Sequence, residues 1–123
     1  MRKLIVAALL AVTAALTGAA PAQAASTAKA ILNGSSVGIG VLYDYRSSGY
    51  DEVLPSGAYT TSLGWPHAGG VYIGSGYCAQ RWTWNESQGK WIRAGSDWTA
   101  GNHAVTSGIV KIVAYRMRTS TAC

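Results

Sequence analysis

Acid–base chemistry needs a proton donor and an acceptor held together, and the sequence offers few groups for it: His67, His103, Asp44, Asp51, Glu52, Glu86 and Asp97. Asp51 and Glu52 are adjacent, so on a strand they face opposite sides of the sheet and do not form a carboxylate pair. No two candidate ligands stand at i, i+2 or i+4, which leaves no metal-binding spacing. Gly34, Ser35, Ser36, Val37 and Gly38 match the form of a nucleophile elbow, G-x-S-x-G. That motif works only where a strand turns sharply into a helix and lifts the serine out. Here it leads into a strand, in a chain too short for the hydrolase fold. The expectation is a non-enzyme with no catalytic residues, no metal and no cofactor.

Cys78 and Cys123 are the two cysteines. In an oxidising compartment an even pair in a small domain reads as a disulfide. Bridging them closes a loop of about 46 residues, worth roughly 4 kcal/mol through the denatured chain. No C-x-x-C or Cys/His cluster supports a catalytic thiol or a metal ligand instead.

Recognition chemistry is better represented. Trp65 and His67 lie in Leu63-Gly64-Trp65-Pro66-His67-Ala68-Gly69-Gly70, where glycine and proline set a loop, and a loop carrying such groups on a rigid sheet is a common binding arrangement. Tyr45 and Tyr50, with Asp44 and Arg46 between and beside them, add aromatic and polar contacts. The sequence has seven Tyr, five Trp and no Phe, so every aromatic ring carries a hydrogen-bonding handle suited to half-wet surfaces. These six residues are the expected ligand contacts. Trp82 and Trp84, with Trp91 beyond a turn, have the look of a sugar-stacking platform. Parity points elsewhere: Cys78, Gln80, Trp82 and Trp84 share one face of a regular strand, and a disulfide is normally buried, so Trp82 and Trp84 are expected in the core. A bulge between Cys78 and Trp82 would reverse that reading. The glycosylation sequon Asn85-Glu86-Ser87 falls on the turn and is read as accidental.

The elements that must position these residues are strands. From residue 25 onward the chain has seven Val and six Ile against four Leu, beside eight Thr and the twelve aromatics. Glycine and proline interrupt nearly every window long enough for a helix. Val37, Ile39, Val41, Tyr43 and Tyr45 alternate with smaller or polar residues, predicting a strand over 37–46, with Gly38 and Gly40 marking a bulge or close contact inside it. Further strands are predicted over 58–63, 71–73, 77–84, 90–93, 103–105 and 109–117, with Asn85–Gly89 as a hairpin connection. Six to seven short strands make an all-β fold, a small antiparallel sandwich or barrel closed by one disulfide.

Arg2 and Lys3, the apolar run from Leu4 to Leu16, and Ala22-Gln23-Ala24 have the form of a secretory signal, and its Ala-rich composition resembles bacterial export signals. The apolar run is shorter than the ~20 residues of a spanning helix. Residues 1–24 are thus expected to leave and 25–123 to form one domain, with eight basic and five acidic residues and a formal charge of +3. Such a balance, with basic residues spread singly apart from Arg116 and Arg118, does not favour nucleic acid. The expectation is a secreted, monomeric, small bacterial extracellular protein, carbohydrate-binding, that recognises cell-envelope or extracellular polysaccharide through aromatic residues, with no membrane insertion. The alternative is an extracellular protein target, met as a protease inhibitor or antagonistic toxin presenting the 64–70 loop.

Overall fold

Eight strands form two four-stranded sheets in the computed structural model, which describes residues 26–118 and Cys123; the expected signal at 1–24 lies outside the described residues. In one sheet β1 (Ala30–Asn33), β8 (Ile109–Arg116), β5 (Tyr77–Asn85) and β6 (Lys90–Arg93) lie side by side in that order. In the other the order is β3 (Glu52–Leu54), β2 (Ile39–Leu42), β4 (Gly70–Ile73) and β7 (Gly101–Ala104). The sheets stack as a sandwich, the expected all-β class, and Cys78 and Cys123 are bridged with Cα atoms 5.6 Å apart.

β8 shows why the layers form. Buried Val110, Ile112 and Ala114 alternate with half-exposed Ile109, Lys111, Val113 and Tyr115, so one face of the strand enters the core. Ile31, Val110 and Ile112 from this sheet meet Ile39, Val41, Val71 and Ile73 from the other in a single buried cluster. Each fully buried Ile or Leu stabilises by about 1.5–3 kcal/mol, which is what holds two otherwise wet sheets together.

Four expectations about elements change. β1 carries too short an apolar pattern to announce itself, and it pairs parallel with β8, the exception to the expected antiparallel pairing. Its free edge is closed by side chain as well as backbone: Ile31 N–H donates to Thr60 Oγ1 at 2.9 Å and Asn33 N–H to the Ala58 carbonyl at 2.9 Å. Residues 58–63 are therefore not a strand. Tyr59 makes one bridge to Leu32, and Thr60–Leu63 coil into a 3-10 turn ended by Gly64 at φ 82°, because the segment crosses between the sheets instead of running along either. The strand expected over 37–46 stops at Leu42. There Asp51 accepts the Tyr43 N–H at 2.8 Å and donates its own N–H to Val41, turning the chain back into β3, which the sequence did not predict.

The polar core is small and fully engaged. Asn33, completely buried, donates Nδ2 to the Val37 and Leu54 carbonyls and accepts the Ser35 N–H on Oδ1, each at 2.8 Å. Ser35 Oγ accepts the Ala114 N–H at 2.6 Å, extending the bond pattern of β8 beyond the end of β1. Ser36, the position a nucleophile would take in the elbow motif, lies in an exposed bend between β1 and β2, not on a strand-to-helix turn.

Candidate functional site

β5 and β8 pair without a bulge from Tyr77 opposite Arg116 to Thr83 opposite Val110. Ala79 and Ala114 lie in the core cluster, so Cys78, Gln80, Trp82 and Trp84 share the outer face of the sheet. These four residues do share a face, as strand parity requires, but it is not the core face expected for Trp82 and Trp84: Trp84 is 38% exposed and Trp82 is half-buried on the solvent side. Cys78 is fully buried yet stands outside the core cluster, bonded to exposed Cys123, so the bridge is covered from outside the sheet. Burial of a disulfide thus did not mark the inner side.

The β5–β6 hairpin sets Trp84 directly opposite Trp91 and Trp82 opposite Arg93, while β8 sets Lys111 beside Trp82. Asn85 holds the connection in shape by accepting the Gln88 N–H on Oδ1 at 3.0 Å. Trp84 and Trp91 meet edge to face with centroids 5.4 Å apart. Lys111 Nζ lies 5.3 Å from the Trp82 centroid and 5.0 Å from that of Trp91, and the Arg93 guanidinium lies 5.5 Å from Trp82 on its other side. Such cation–ring contacts, worth about 0.5–1 kcal/mol at exposed sites, hold the Trp82 and Trp91 rings in place and leave Trp84 the most open of the three. Gly34 lets the lysine stem run flat, since a Cβ there would stand 3.0 Å from Lys111 Cγ and Cδ. Trp82 Nε1 donates to Gln80 Oε1 at 3.2 Å. Trp84 and Trp91 join Tyr59 and Ile109 around an open cleft of about 200 Å³.

Asp97 anchors the far end of this face. It accepts the Tyr115 hydroxyl and an Arg93 N–H, the latter at 2.5 Å. Burial works to raise the Asp97 carboxyl, but Tyr115 and Arg93 outweigh it and hold the group below its usual value. Donation to Asp97 in turn pushes the Tyr115 hydroxyl up.

The six residues expected to contact ligand are brought near one another, but largely as a brace. Trp65 is half-buried, packs against the core cluster and meets Tyr43 edge-on at 5.4 Å. His67 stacks on Tyr43 at 4.1 Å, and its Nε2 lies 3.3 Å from Asp44 Oδ1. Arg46 donates to Asp51 at 2.8 Å, and Asn102 Nδ2 donates to the Arg46 and Gly49 carbonyls. The Tyr43 N–H, foremost, and Arg46 hold the Asp51 carboxyl below its usual range. Tyr45 and Tyr50 keep exposed rings. Tyr50 stacks on Tyr72 at 5.2 Å above Gly40, where a Cβ would come within 2.7 Å of Tyr50 Cγ, so this glycine marks the close contact expected of it. The second half of the 64–70 loop is tied into the fold: Ala68 exchanges both backbone bonds with Ala28, Gly69 N–H donates to Leu42, and Ala68 to Gly70 are buried, while Gly64 and Pro66 stay exposed.

Among the described residues no three of His, Cys, Asp and Glu gather as a metal would require. Trp98, which the sequence did not single out, packs against the core between Arg81 and His103, 4.7 Å and 4.5 Å away. The outer-face indoles were visible in the sequence as Trp-x-Trp with a third Trp across the turn, a signal set aside because of the cysteine. No protein-family model, curated protein or solved structure matches the chain.

Proposed function

We propose that the protein is a secreted polysaccharide-binding protein, and that it binds through the outer face of β8, β5 and β6. The observation that carries this reading is the set of three indoles, Trp82, Trp84 and Trp91, placed side by side on a rigid sheet face and left partly open to solvent. Sugar rings have a CH-rich face that stacks on an indole, and a sheet holds its rings in place before the ligand arrives, so little ordering is required on binding. Gln80, Tyr115 and the Trp84 and Trp91 N–H groups supply polar contacts at the rim. A protein-targeting inhibitor would need a projecting loop, and in the 64–70 segment Ala68 and Gly69 are hydrogen-bonded into the fold while Trp65 packs on the core.

The test is retention on insoluble cellulose, chitin and cell-wall sacculi by the parent and by a Trp84→Ala/Trp91→Ala variant. Retention of the parent on at least one polymer, lost in a variant with an unchanged circular dichroism spectrum, is the expected result. Equal retention of both, or retention of neither on any polymer, would overturn the proposal, and inhibition of a protease panel would favour a protein target.

A further inference from the structure

We infer that the polysaccharide taken by this face is acidic, its anionic groups meeting Lys111 and Arg93 while its rings stack on the neighbouring indoles. The inference rests on the polysaccharide reading above and adds a ligand class to it.

Charge is divided between the two sheets. The strands β1, β8, β5 and β6 carry Arg81, Lys90, Arg93, Lys111 and Arg116 and no Asp or Glu. The strands of the other sheet carry Glu52 and no Lys or Arg. Asp44 and Asp51 lie in the loop that leaves β2, and Asp51 is matched there by Arg46. On the indole-bearing face itself the cations are Lys111 and Arg93, with Asp97 beside Arg93 at the far end, while Arg81, Lys90 and Arg116 occupy the alternate positions that face the other side.

Of the two cations on this face, Lys111 is the one left to a ligand. Among the described residues it has no carboxylate partner, whereas Arg93 is shared with Asp97. The two indoles beside Lys111 attract its ammonium through their ring faces, but they do not neutralise it, and its N–H donors can still reach an acceptor. The register makes Lys111, Trp82 and Arg93 one row across three strands, cation, indole, cation. Two strand spacings amount to about 10 Å, the order of a disaccharide, so a ring lying over this row brings an acidic substituent to a cation at either end. A uronate carboxylate and a phosphodiester share this chemistry.

The experiment compares binding of the parent protein to polygalacturonate, to the same polymer fully methyl-esterified, and to a teichoic acid whose repeat is a hexose joined by phosphodiesters. Esterification keeps the sugar backbone and removes the charge. Polygalacturonate or teichoic acid is expected to bind roughly tenfold or more tightly than the ester, and that preference should shrink as salt rises from about 10 mM to about 0.3 M. Whichever acidic polymer binds more tightly identifies the anion as carboxylate or phosphate. Lys111→Gln should bring the acid-over-ester ratio towards one, and Lys111→Arg should restore it. Equal binding to acidic and esterified polymer by the parent, with Trp84→Ala/Trp91→Ala still weakening both, would overturn the acidic assignment and leave the indole platform standing. No effect of the double variant on any polymer would overturn both. Tighter binding to a single-stranded oligonucleotide than to any of the three polymers would overturn the glycan assignment.

Discussion

Trp84 and Trp91 stand directly opposite each other across the β5–β6 hairpin and meet edge to face at 67°, on the side of the sheet away from the core. Truncating either ring removes a cross-strand contact and little core volume, so Trp84→Ala should cost about 0.5–1.5 kcal/mol. Trp98 packs on the core and is contacted by the Arg81 guanidinium and stacked on by His103, and Trp98→Ala should cost about 3 kcal/mol or more. Denaturant titrations of the two variants check the order; equal costs would make the Trp84 ring structural.

Trp65 lies against the core edge and Tyr43, so its loss opens a gap at the end of the sandwich. Trp65→Ala should destabilise by about 2–3 kcal/mol. The same variant should keep its retention on polysaccharide when assayed well below its melting temperature. Loss of retention with an unchanged melt would return the binding site to the 64–70 loop.

Asn33→Ala deletes three hydrogen bonds, two of them buried, leaving the Val37 and Leu54 carbonyls and the Ser35 N–H without that partner. The expected cost is about 2–4 kcal/mol. Ser36→Ala, in the exposed bend beside it, should fall within about 0.5 kcal/mol of the parent. Similar losses for both would contradict the hydrogen-bond assignment.

Asp51 is held below its usual value by the Tyr43 N–H first and Arg46 after it. A carboxyl whose folded pKa is depressed contributes fully above its unfolded value, near ~4, and loses the contribution as pH falls through the lower folded value. Asp51→Asn should therefore melt slightly below the parent at neutral pH, and the gap should close below about pH 4. The side chain is 35% exposed, so solvent screening keeps the gap small. A gap that widens in acid would refute the arrangement.

Reduction of the Cys78–Cys123 bridge, which joins residues 45 apart in sequence, should lower stability by about 4 kcal/mol. A Cys78→Ser/Cys123→Ser variant compared with the oxidised parent in urea measures it. An unchanged midpoint would mean that the sandwich core suffices alone.

The amino-acid sequence by itself determined the strand chemistry, the disulfide and the hairpin. Lys90–Arg93 is a strand in both readings, and the alternation along Ile109–Arg116 comes from a local pattern that one buried face imposes. It also determined that Cys78, Gln80, Trp82 and Trp84 share a face, because period two is a property of the strand alone. Which face that is depends on where a second sheet lies, and no residue within β5 encodes this. Only the tertiary structure, by burying Ala79 in the core between the sheets and bonding Cys123 to Cys78 from the outside, turned the indoles to solvent. Long-range partners likewise decided the elements that local pattern missed: β1 exists because β8 and Thr60 accept it, and 58–63 coils because Thr60 is needed there. Trp65 and His67 were recognisable as loop residues, but their role as a brace follows from Tyr43, Asp44 and Leu42, which only folding brings within reach.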